Sequence, residues 1–337
     1  MVRSRVTEVK PIVAALVGLV LATAACSETL DAGSTHHGLL PVDERNPMVI
    51  VNDRALDNWQ GEYAVLLANG GGPSLVGIVV DATPTWPNVD DNLSGWHDLV
   101  AAARSSGLQN LPEPIKSQGA PLVRPASGDL TKTQANGSAG ALFLIDASHR
   151  FSLPYRPLVI ATGTPLTDVA DAYLLDPTIV DRVYVVAALG SVTSSGGRMD
   201  SPNGNLDPWA DIIVAQNFRY IQVSAFYGQG SDVPGARLSE LPSNDFGNWM
   251  RTKQPDVYQW PQASDQVGVT AVGILGFATG VERVSSVGAG AIDGGTSDGL
   301  DLAGTPTGRG WLVTACDGSV AAKRLWDLLL NPKTFGR

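Results

Sequence analysis

An apolar run that ends in acids and amides is the first place in this chain where the residue types could do chemistry. Residues 48–51 are apolar, and two acids and two amides follow by position 58. A buried strand that delivers polar side chains at its carboxyl end is where open α/β sheets place their ligands. In a loop leaving such a strand, Asp53 and Asn58 could converge on one hard cation while Asp57 faces a bound water or a substrate. An ordinary polar turn is the alternative, because Asp and Asn are common turn residues.

The elements that would position this loop are short apolar runs that alternate with helical patterns. Continuous apolar runs predict buried strands near residues 49–51, 76–80, 157–161 and 183–187. Helical patterns lie between or beside them at residues 62–68, 93–104, 139–148 and 166–175. Strand and helix alternating at this interval predict a mostly parallel sheet flanked by helices. We therefore predict a single α/β domain over residues 47–337.

Composition excludes one large class of partner. The chain has 337 residues, of which 44% are hydrophobic and 17% charged, so it can bury a large core. Its formal net charge is −10, and no Lys/Arg cluster lies in its body. A surface of this kind cannot neutralise phosphates, so we predict no nucleic-acid partner.

The N-terminus has the pattern of a secretory signal. Arg3, Arg5 and Lys10 precede an apolar run over residues 11–25, which is too short to span a bilayer comfortably. We predict a signal peptide over residues 1–26 and an exported mature protein. The next residues, 27–46, are polar and lack periodicity, which predicts a flexible tether.

Cys26 lies where a lipid could be attached. Together with the three residues before it, Thr23-Ala24-Ala25, it resembles a bacterial lipoprotein processing site. Lipidation of Cys26 would make the protein a cell-surface or periplasmic lipoprotein that contacts the membrane through its lipid anchor only. Cleavage by an ordinary signal peptidase is the alternative; the protein would then be secreted, and Cys26 could pair with Cys316.

Four segments match, in order and spacing, the motifs of one family of enzymes. They are residues 51–58, 79–92, 161–168 and 204–213. They resemble, in turn, the Asp-x-Asp-Pro-Gly-x-Asp-Asp motif, the second strand with its Gly-Asn-Val turn, the Gly-Pro-Leu-Thr-Asn segment and the substrate loop of the nucleoside hydrolases. These calcium-dependent enzymes cleave the N-glycosidic bond of ribonucleosides. The resemblance runs from about residue 48 to residue 330 and implies a Rossmann-like, nucleoside hydrolase-like domain.

The resemblance implies a calcium site and a base. Asp57 matches the carboxylate that activates water. The implied calcium ligands are the side chains of Asp53 and Asn58, the backbone carbonyl of Thr162 and, from the last segment of the alignment, Asp265. Oxygen ligands of this kind suit a hard cation.

The same resemblance implies the contacts to a small nucleoside or ribosyl ligand. Asn88, Asn205 and Asp211 match positions that hydrogen-bond the sugar. Trp86 and Trp209 lie within a few residues of these positions, where an aromatic face could stack on a base or a sugar-like group. Enzymes of this family are often dimers or tetramers, so a homo-oligomer is also implied.

Three departures from the family pattern leave two functions open. Asn58 stands where the family has a carboxylate, Ser264 stands in place of a His, and Ile213 replaces an Asn. The first function is an exported hydrolase of N-glycosidic bonds in nucleosides or related ribosyl compounds. The second is a catalytically decayed surface lipoprotein that binds a nucleoside- or sugar-like ligand.

Overall fold

The structure, a computed structural model, describes residues 38–55, 60–117, 119–188, 201–223, 239–253, 266–284 and 310–335. The chain divides into two units, residues 1–35 and 36–337, and all described residues belong to the second. Four residues with predicted roles lie outside the described ranges: Cys26, Asp57, Asn58 and Asp265.

Eight strands of the described residues form one sheet. They are β1 (Pro47–Asn52), β2 (Ser74–Val80), β3 (Pro114–Lys116), β4 (Leu158–Thr162), β5 (Val183–Ala188), β6 (Arg219–Val223), β7 (Ala278–Val284) and β8 (Gly310–Cys316). Their order is β3-β2-β1-β4-β5-β6-β8-β7, and every neighbouring pair is parallel except β7 with β8. The predicted α/β class with a mostly parallel sheet is confirmed.

Helices cover both faces of this sheet. They are α1 (Gln60–Asn69), α2 (Val89–Ser105), α3 (Ala139–Phe151), α4 (Thr167–Leu175), α5 (Pro208–Asn217), α6 (Asp245–Lys253), α7 (Gln266–Gly273) and α8 (Gly318–Leu330). One hydrophobic core holds residues of α1, α2, α6, α7 and α8, and a second holds residues of α3, α4 and α5. The segments with predicted helical patterns fall on α1 to α4.

The two cores explain why the strands are continuously apolar in sequence. Side chains along a strand alternate between its faces. In β1, Met48 and Ile50 enter the first core, whereas Val49 and Val51 enter the second. Because helices cover both faces of β1, its interior positions are all apolar, and its first polar residue, Asn52, comes where the strand ends.

The sheet has its topological switch point between β1 and β4. From β1 the chain builds outward through β2 and β3, and then returns to place β4, β5 and β6 on the other side. Val51 of β1 is paired with Thr162 of β4, so the carboxyl ends of these two strands lie side by side. Ligands of open α/β sheets bind at such a point, in the crevice outside the carboxyl ends of the strands.

The residues just before β1 pack against the domain. Leu40 and Val42 are buried in the first core, and the Asn46 side chain donates a hydrogen bond to the Pro157 carbonyl at 2.8 Å. This segment, 38–46, is the described part of the predicted tether.

None of the helices in the described ranges has the length and apolar character needed to cross a membrane.

Candidate functional site

Asp53 is held at the carboxyl end of β1 by hydrogen bonds to both carboxylate oxygens. Its Oδ1 accepts from the Arg54 backbone N–H at 2.6 Å, and its Oδ2 accepts from the Thr83 hydroxyl at 2.6 Å. The Trp96 indole Nε1–H donates to the Asp53 backbone carbonyl at 3.0 Å. Only 3% of Asp53 is exposed. The carboxylate that directly follows the strand is therefore fixed in orientation.

Asp81 occupies the equivalent position after β2. Its backbone N–H donates to the Asn52 carbonyl at 2.9 Å, which keeps the two strand ends in register. Burial raises the pKa of the Asp81 carboxyl well above its usual value, and the negative charges of Asp168 and Asp53 raise it further, whereas the Thr164 hydroxyl lowers it. Asp81 therefore keeps its proton at a pH where an exposed Asp has lost it.

Asp168 brings a third carboxyl group to this edge from the first turn of α4. Its Oδ1 accepts from the Ser117 hydroxyl at 3.0 Å and from the Ser138 hydroxyl at 2.6 Å. Within the described part of the chain its Oδ2, which is buried, has no hydrogen-bond partner. Burial raises the pKa of Asp168, and the two serine hydroxyls lower it. A Cβ at Gly140 would lie 2.0 Å from Oδ2, so the carboxyl group fits only because residue 140 has no side chain.

The end of β4 adds neutral oxygens. Thr162 is fully buried, and its hydroxyl has no hydrogen-bond partner in the described ranges. The next residue, Gly163, donates its N–H to the Val51 carbonyl at 2.9 Å. Asn203 connects the end of β4 to the end of β5. Its Nδ2 donates to the carbonyls of Gly163 at 2.9 Å and Ala188 at 3.2 Å. Thr162 therefore lies at the switch point, paired with Val51, two residues before Asp53. Its implied role as a calcium ligand stays a prediction.

A calcium ion needs several oxygen ligands that converge on one point. Asp53 and Thr162 supply oxygens, the donor type that calcium prefers. However, the other two implied ligands, Asn58 and Asp265, lie outside the described residues. No three His, Cys, Asp or Glu side chains of the described ranges are arranged to hold a metal ion. The described donors alone therefore do not make a metal centre.

A cleft of about 450 Å³ opens next to Asp53, between α2 and α6. Trp86 and Asn88, two of the predicted substrate-binding residues, both line it. The Arg54 guanidinium lies over the Trp86 ring, 4.3 Å from its centroid. Asn88 is the N-cap of α2, and its side-chain oxygen accepts from the N–H groups of Asp90 and Asp91. The structure thus brings Trp86 and Asn88 together.

Thr83 connects this cleft to Asp53. Its hydroxyl, which donates to Asp53, also accepts from the Trp86 N–H at 3.2 Å, and its own N–H donates to the Trp86 carbonyl at 3.2 Å. The Asn92 side chain donates to the same Trp86 carbonyl at 3.0 Å. The loop that carries Trp86 is therefore fixed to the carboxylate at the end of β1.

The other three predicted substrate contacts lie near α5 and do not line this cleft. Trp209 is 5% exposed, packs in the second core and donates its Nε1–H to the Thr133 hydroxyl at 2.9 Å. Asp211 is buried in the first turn of α5; burial raises the pKa of Tyr220, and the charge of Asp211 raises it further. Asn205 is exposed just before α5. Their contact with a substrate stays a prediction.

Asp81, Thr83, Asp168 and Asn203 are the site residues that sequence reasoning did not select. Asp81 directly follows a predicted strand, so the argument that selects Asp53 could have found it. The positions of Asp168 and Asn203 depend on the packing of α4 and of the segment before α5. No local pattern in the sequence reports that packing.

The chain matches known proteins only among the solved structures. No protein-family model matches the chain, and no curated protein matches it. An inosine-guanosine nucleoside hydrolase matches with a TM-score of 0.59 and 15% identity over 84% of this chain and 98% of that chain. A purine-preferring ribonucleoside hydrolase from Gardnerella vaginalis has a TM-score of 0.51 and 14% identity over 85% of this chain and 98% of that one. An inosine-uridine preferring nucleoside hydrolase from Bacillus anthracis has a TM-score of 0.51 and 13% identity, and covers 84% of this chain and 99% of its own.

The chain therefore has the fold of the nucleoside hydrolases. This confirms the resemblance predicted from the four sequence segments, at the level of the fold. Identities of 13–15% leave the activity, the substrate and the metal to be argued from the residues of this chain.

Proposed function

We propose that this chain hydrolyses N-glycosidic bonds in nucleosides or related ribosyl compounds. The observation that carries the proposal is the fixed carboxylate of Asp53 at the switch point, beside Thr162 and within electrostatic range of Asp81. This is the edge at which open α/β sheets bind ligands. The shared fold supports the proposal, because the matched structures are named as nucleoside hydrolases.

The chemistry needs negative charge, a base and an acid. A ribosyl carbon that loses its base develops oxocarbenium character, which nearby carboxylates such as Asp53 stabilise. Asp57 is the proposed general base that takes a proton from the attacking water. Asp81, a buried carboxyl group whose backbone N–H is bonded to the end of β1, is the proposed proton donor to the leaving group.

A calcium ion is part of the proposed function. The proposed ligands are Asp53, the Thr162 carbonyl, Asn58 and Asp265. Held by these residues, a calcium ion would supply the positive charge that makes water a better nucleophile. Asn58 in place of a carboxylate removes one negative charge from this set, so we expect weaker calcium binding than a set with a carboxylate at that position would give.

The proposed substrate contacts are Asn88, Asn205 and Asp211, with Trp86 and Trp209 as aromatic faces. Hydrogen bonds to the sugar hydroxyls would fix the ring so that attack by water becomes effectively intramolecular. Asn88 is the best placed of these residues, because it lines the cleft that also includes Arg54, the residue directly after Asp53.

The test is release of reducing sugar from a panel of purine and pyrimidine nucleosides, with calcium and with a chelator. We expect ribose from at least one nucleoside, and loss of that activity in Asp53→Asn and Asp57→Asn. Release of no ribose from any nucleoside by the folded wild-type protein would overturn the proposal.

A binding function without chemistry is the second candidate. It is favoured by Asn58 and Ile213, which stand where the family pattern has a carboxylate and an Asn. In this case nucleosides would raise the melting temperature, since a ligand that binds only the native state stabilises it, but no sugar would be released.

We also propose that the protein is exported as a lipoprotein, with Cys26 as the lipidated first residue. Mass spectrometry of the mature N-terminus after expression in a bacterial host tests this directly. An unmodified Cys26, or a mature chain that starts elsewhere, would contradict it. Size-exclusion chromatography with light scattering tests the proposed homo-oligomer.

A further inference from the structure

The outer face of α3 carries exposed apolar side chains that the proposed hydrolysis does not use. Leu142 is 56% exposed, and Leu153 and Tyr155, just beyond the end of α3, are 44% and 68% exposed. Apolar groups that gather on one exposed face indicate a contact surface. We propose that this face binds a second copy of the chain, with the two α3 helices packed antiparallel across a two-fold axis. The proposal does not depend on the proposed hydrolysis.

The exposed side chains of α3 lie on one side of the helix. Asp146 is four residues from Leu142 and from Arg150, and three from His149, and all four are exposed. Side chains at these intervals are neighbours on a helix surface. The side of α3 that faces the sheet is buried; its residues are Gly140, Ala141, Leu144, Ala147 and Ser148. We call Leu142, Asp146, His149 and Arg150 the α3 stripe.

A tight turn continues the α3 stripe beyond the end of the helix. The Leu153 N–H donates to the Arg156 carbonyl at 3.1 Å, and the Arg156 N–H donates to the Leu153 carbonyl at 3.0 Å. Pro154 and Tyr155 lie at the tip of this turn and are exposed. Because the backbone is already fixed by these bonds, a contact made by Leu153 or Tyr155 costs little conformational entropy.

The end of α4 adds a further apolar group to this face. The His149 Nε2 lies 2.7 Å from Oδ2 of Asp176, the residue that follows α4. Leu175, the last residue of α4, is 41% exposed. The apolar surface therefore extends from the α3 stripe to the neighbouring helix.

Asp146 and Arg150 make the α3 stripe complementary to itself. Neither side chain forms a hydrogen bond or an ion pair with another described residue. A two-fold axis that passes midway between them, perpendicular to α3, places Asp146 of each copy opposite Arg150 of the other. A dimer interface of this symmetry uses the same surface patch on both copies. Parallel packing would instead place each charge opposite its own kind, which is unfavourable.

The same axis brings apolar groups together on both sides of the charges. Leu142 precedes the level of Ser148 by six residues, and Pro154, between Leu153 and Tyr155, follows it by six. Leu142 of each copy therefore faces the turn of the other. Apolar contacts on either side exclude water from the two ion pairs, and attraction between charges is stronger where water is excluded.

The size and place of this surface set the expected strength of the dimer. The helix α3 has 13 residues and is about 20 Å long. A contact made by one helix and one turn is small for a specific interface, so we expect a dissociation constant in the micromolar range. The helix packs in the second core, whereas α2 and α6, which border the cleft, pack in the first. The dimer therefore leaves the cleft open.

Sedimentation equilibrium of the full chain, in reducing agent so that no disulfide links the copies, measures the association constant. Asp146→Arg and Arg150→Asp each place like charges across the axis. The double variant Asp146→Arg/Arg150→Asp restores opposite charges in exchanged positions. Leu142→Ser removes an apolar contact. The matched control Asp327→Arg makes the same charge change on α8, at a side chain that is 51% exposed.

We expect the wild type and Asp327→Arg to form the dimer equally well. Asp146→Arg, Arg150→Asp and Leu142→Ser should each weaken it by about tenfold or more, since every change acts twice in a two-fold dimer. The double variant should return to within about threefold of the wild type. All these positions are exposed, so the melting temperatures should stay close to that of the wild type.

Three results would show that the proposal is wrong. The first is a wild type that stays monomeric at its highest soluble concentration. The second is a dimer that Asp146→Arg and Arg150→Asp leave unchanged, or that Asp327→Arg weakens as much as they do. The third is a double variant that associates as weakly as the two single ones.

The nucleoside assay, run on the same variants, separates this proposal from the proposed hydrolysis. We expect Asp146→Arg to release ribose as the wild type does, because the α3 stripe does not line the cleft. A dimer that depends on α3, without ribose release from any nucleoside, leaves the interface standing while the hydrolase proposal fails. Ribose release by a chain that does not associate through α3 has the opposite meaning.

Discussion

The Thr83 hydroxyl donates a hydrogen bond to Oδ2 of Asp53 at 2.6 Å, across 30 residues of sequence. The same hydroxyl accepts from the Trp86 N–H at 3.2 Å. One side chain therefore links the carboxylate at the end of β1 to the loop that lines the cleft. The structure makes this link part of the buried interior, since Thr83 is only 8% exposed.

Replacing Thr83 tests this link. Thr83→Val keeps the shape but removes the hydroxyl, so a buried carboxylate oxygen loses its donor. We expect destabilisation by about 1–3 kcal/mol in urea unfolding. Thr83→Ser keeps the hydroxyl and should recover most of the loss. Equal stability of Thr83→Val and the wild type would show that the hydrogen bond does not hold Asp53.

The raised pKa of Asp81 predicts a pH-dependent effect on stability. Because burial and the charges of Asp168 and Asp53 keep the folded-state pKa above the unfolded value, the folded protein retains a proton that the unfolded chain releases. Below the unfolded pKa, about 3.9, this stabilising contribution is complete. It is lost as the pH rises from there through the folded-state pKa.

Asp81→Asn removes this titration. We expect the stability of the variant relative to the wild type to increase from about pH 4 to neutral pH. Urea unfolding at several pH values measures the difference. Asp207, whose pKa is also raised, remains in both proteins and largely cancels in the comparison. Asp168 interacts electrostatically with Asp81, so its titration contributes to the measured difference. A difference that does not change with pH would contradict the expected burial of a protonated Asp81.

Gly140 and Gly95 form a matched pair of helix glycines. Gly140→Ala places a Cβ 2.0 Å from the Asp168 carboxyl oxygen Oδ2, so we expect a loss of about 1–3 kcal/mol from overpacking. Gly95→Ala meets no atom within 4 Å and should gain about 0.5–1 kcal/mol from helix propensity. Chemical denaturation of both variants measures the contrast. Effects of the same sign would mean that Asp168 moves away without cost.

Asn203 and Asn205 should separate stability from binding. Asn203→Ala removes the donor that joins the carbonyls of Gly163 and Ala188, and we expect a loss of about 1–2 kcal/mol. Asn205 is exposed, so Asn205→Ala should change stability by less than about 0.5 kcal/mol.

The two variants are then compared in the nucleoside assay. If Asn205 contacts the sugar as proposed, Asn205→Ala raises KM or lowers kcat while its unfolding curve stays that of the wild type. Normal kinetics in Asn205→Ala would remove this residue from the proposed substrate site.

The central strands were predictable from the sequence for a physical reason. A strand that is covered on both faces must be apolar at every position, so β1, β2, β4 and β5 stand out as continuous runs. β3 has three residues, two of them proline and lysine, and gives no such signal. β7 and β8 were not predicted either. They pair with each other although residues 285–309 separate them in the chain, and no local pattern indicates that pairing.

The candidate site was predictable only in part. The position of Asp53 follows from a local rule, since it is the first acid after a buried strand. The approach of Asp168 to Asp81 depends on how the α4 helix packs, and the Thr83 hydrogen bond depends on the course of a loop. These contacts join residues that are far apart in the chain, and residue types alone do not specify them.

The central position of β1 in the sheet fixes its register, and with it the place of Asp53. β1 is bonded to a strand on each side, and a slip of one residue would send every one of its side chains into the opposite core. The location of Asp53 is thus as rigid as the sheet itself. The Trp86 loop is held by hydrogen bonds of Thr83 and Asn92 to its backbone and not by a strand register. Its side chains can therefore be exchanged, and the ligand preference changed, while the carboxylate stays where it is.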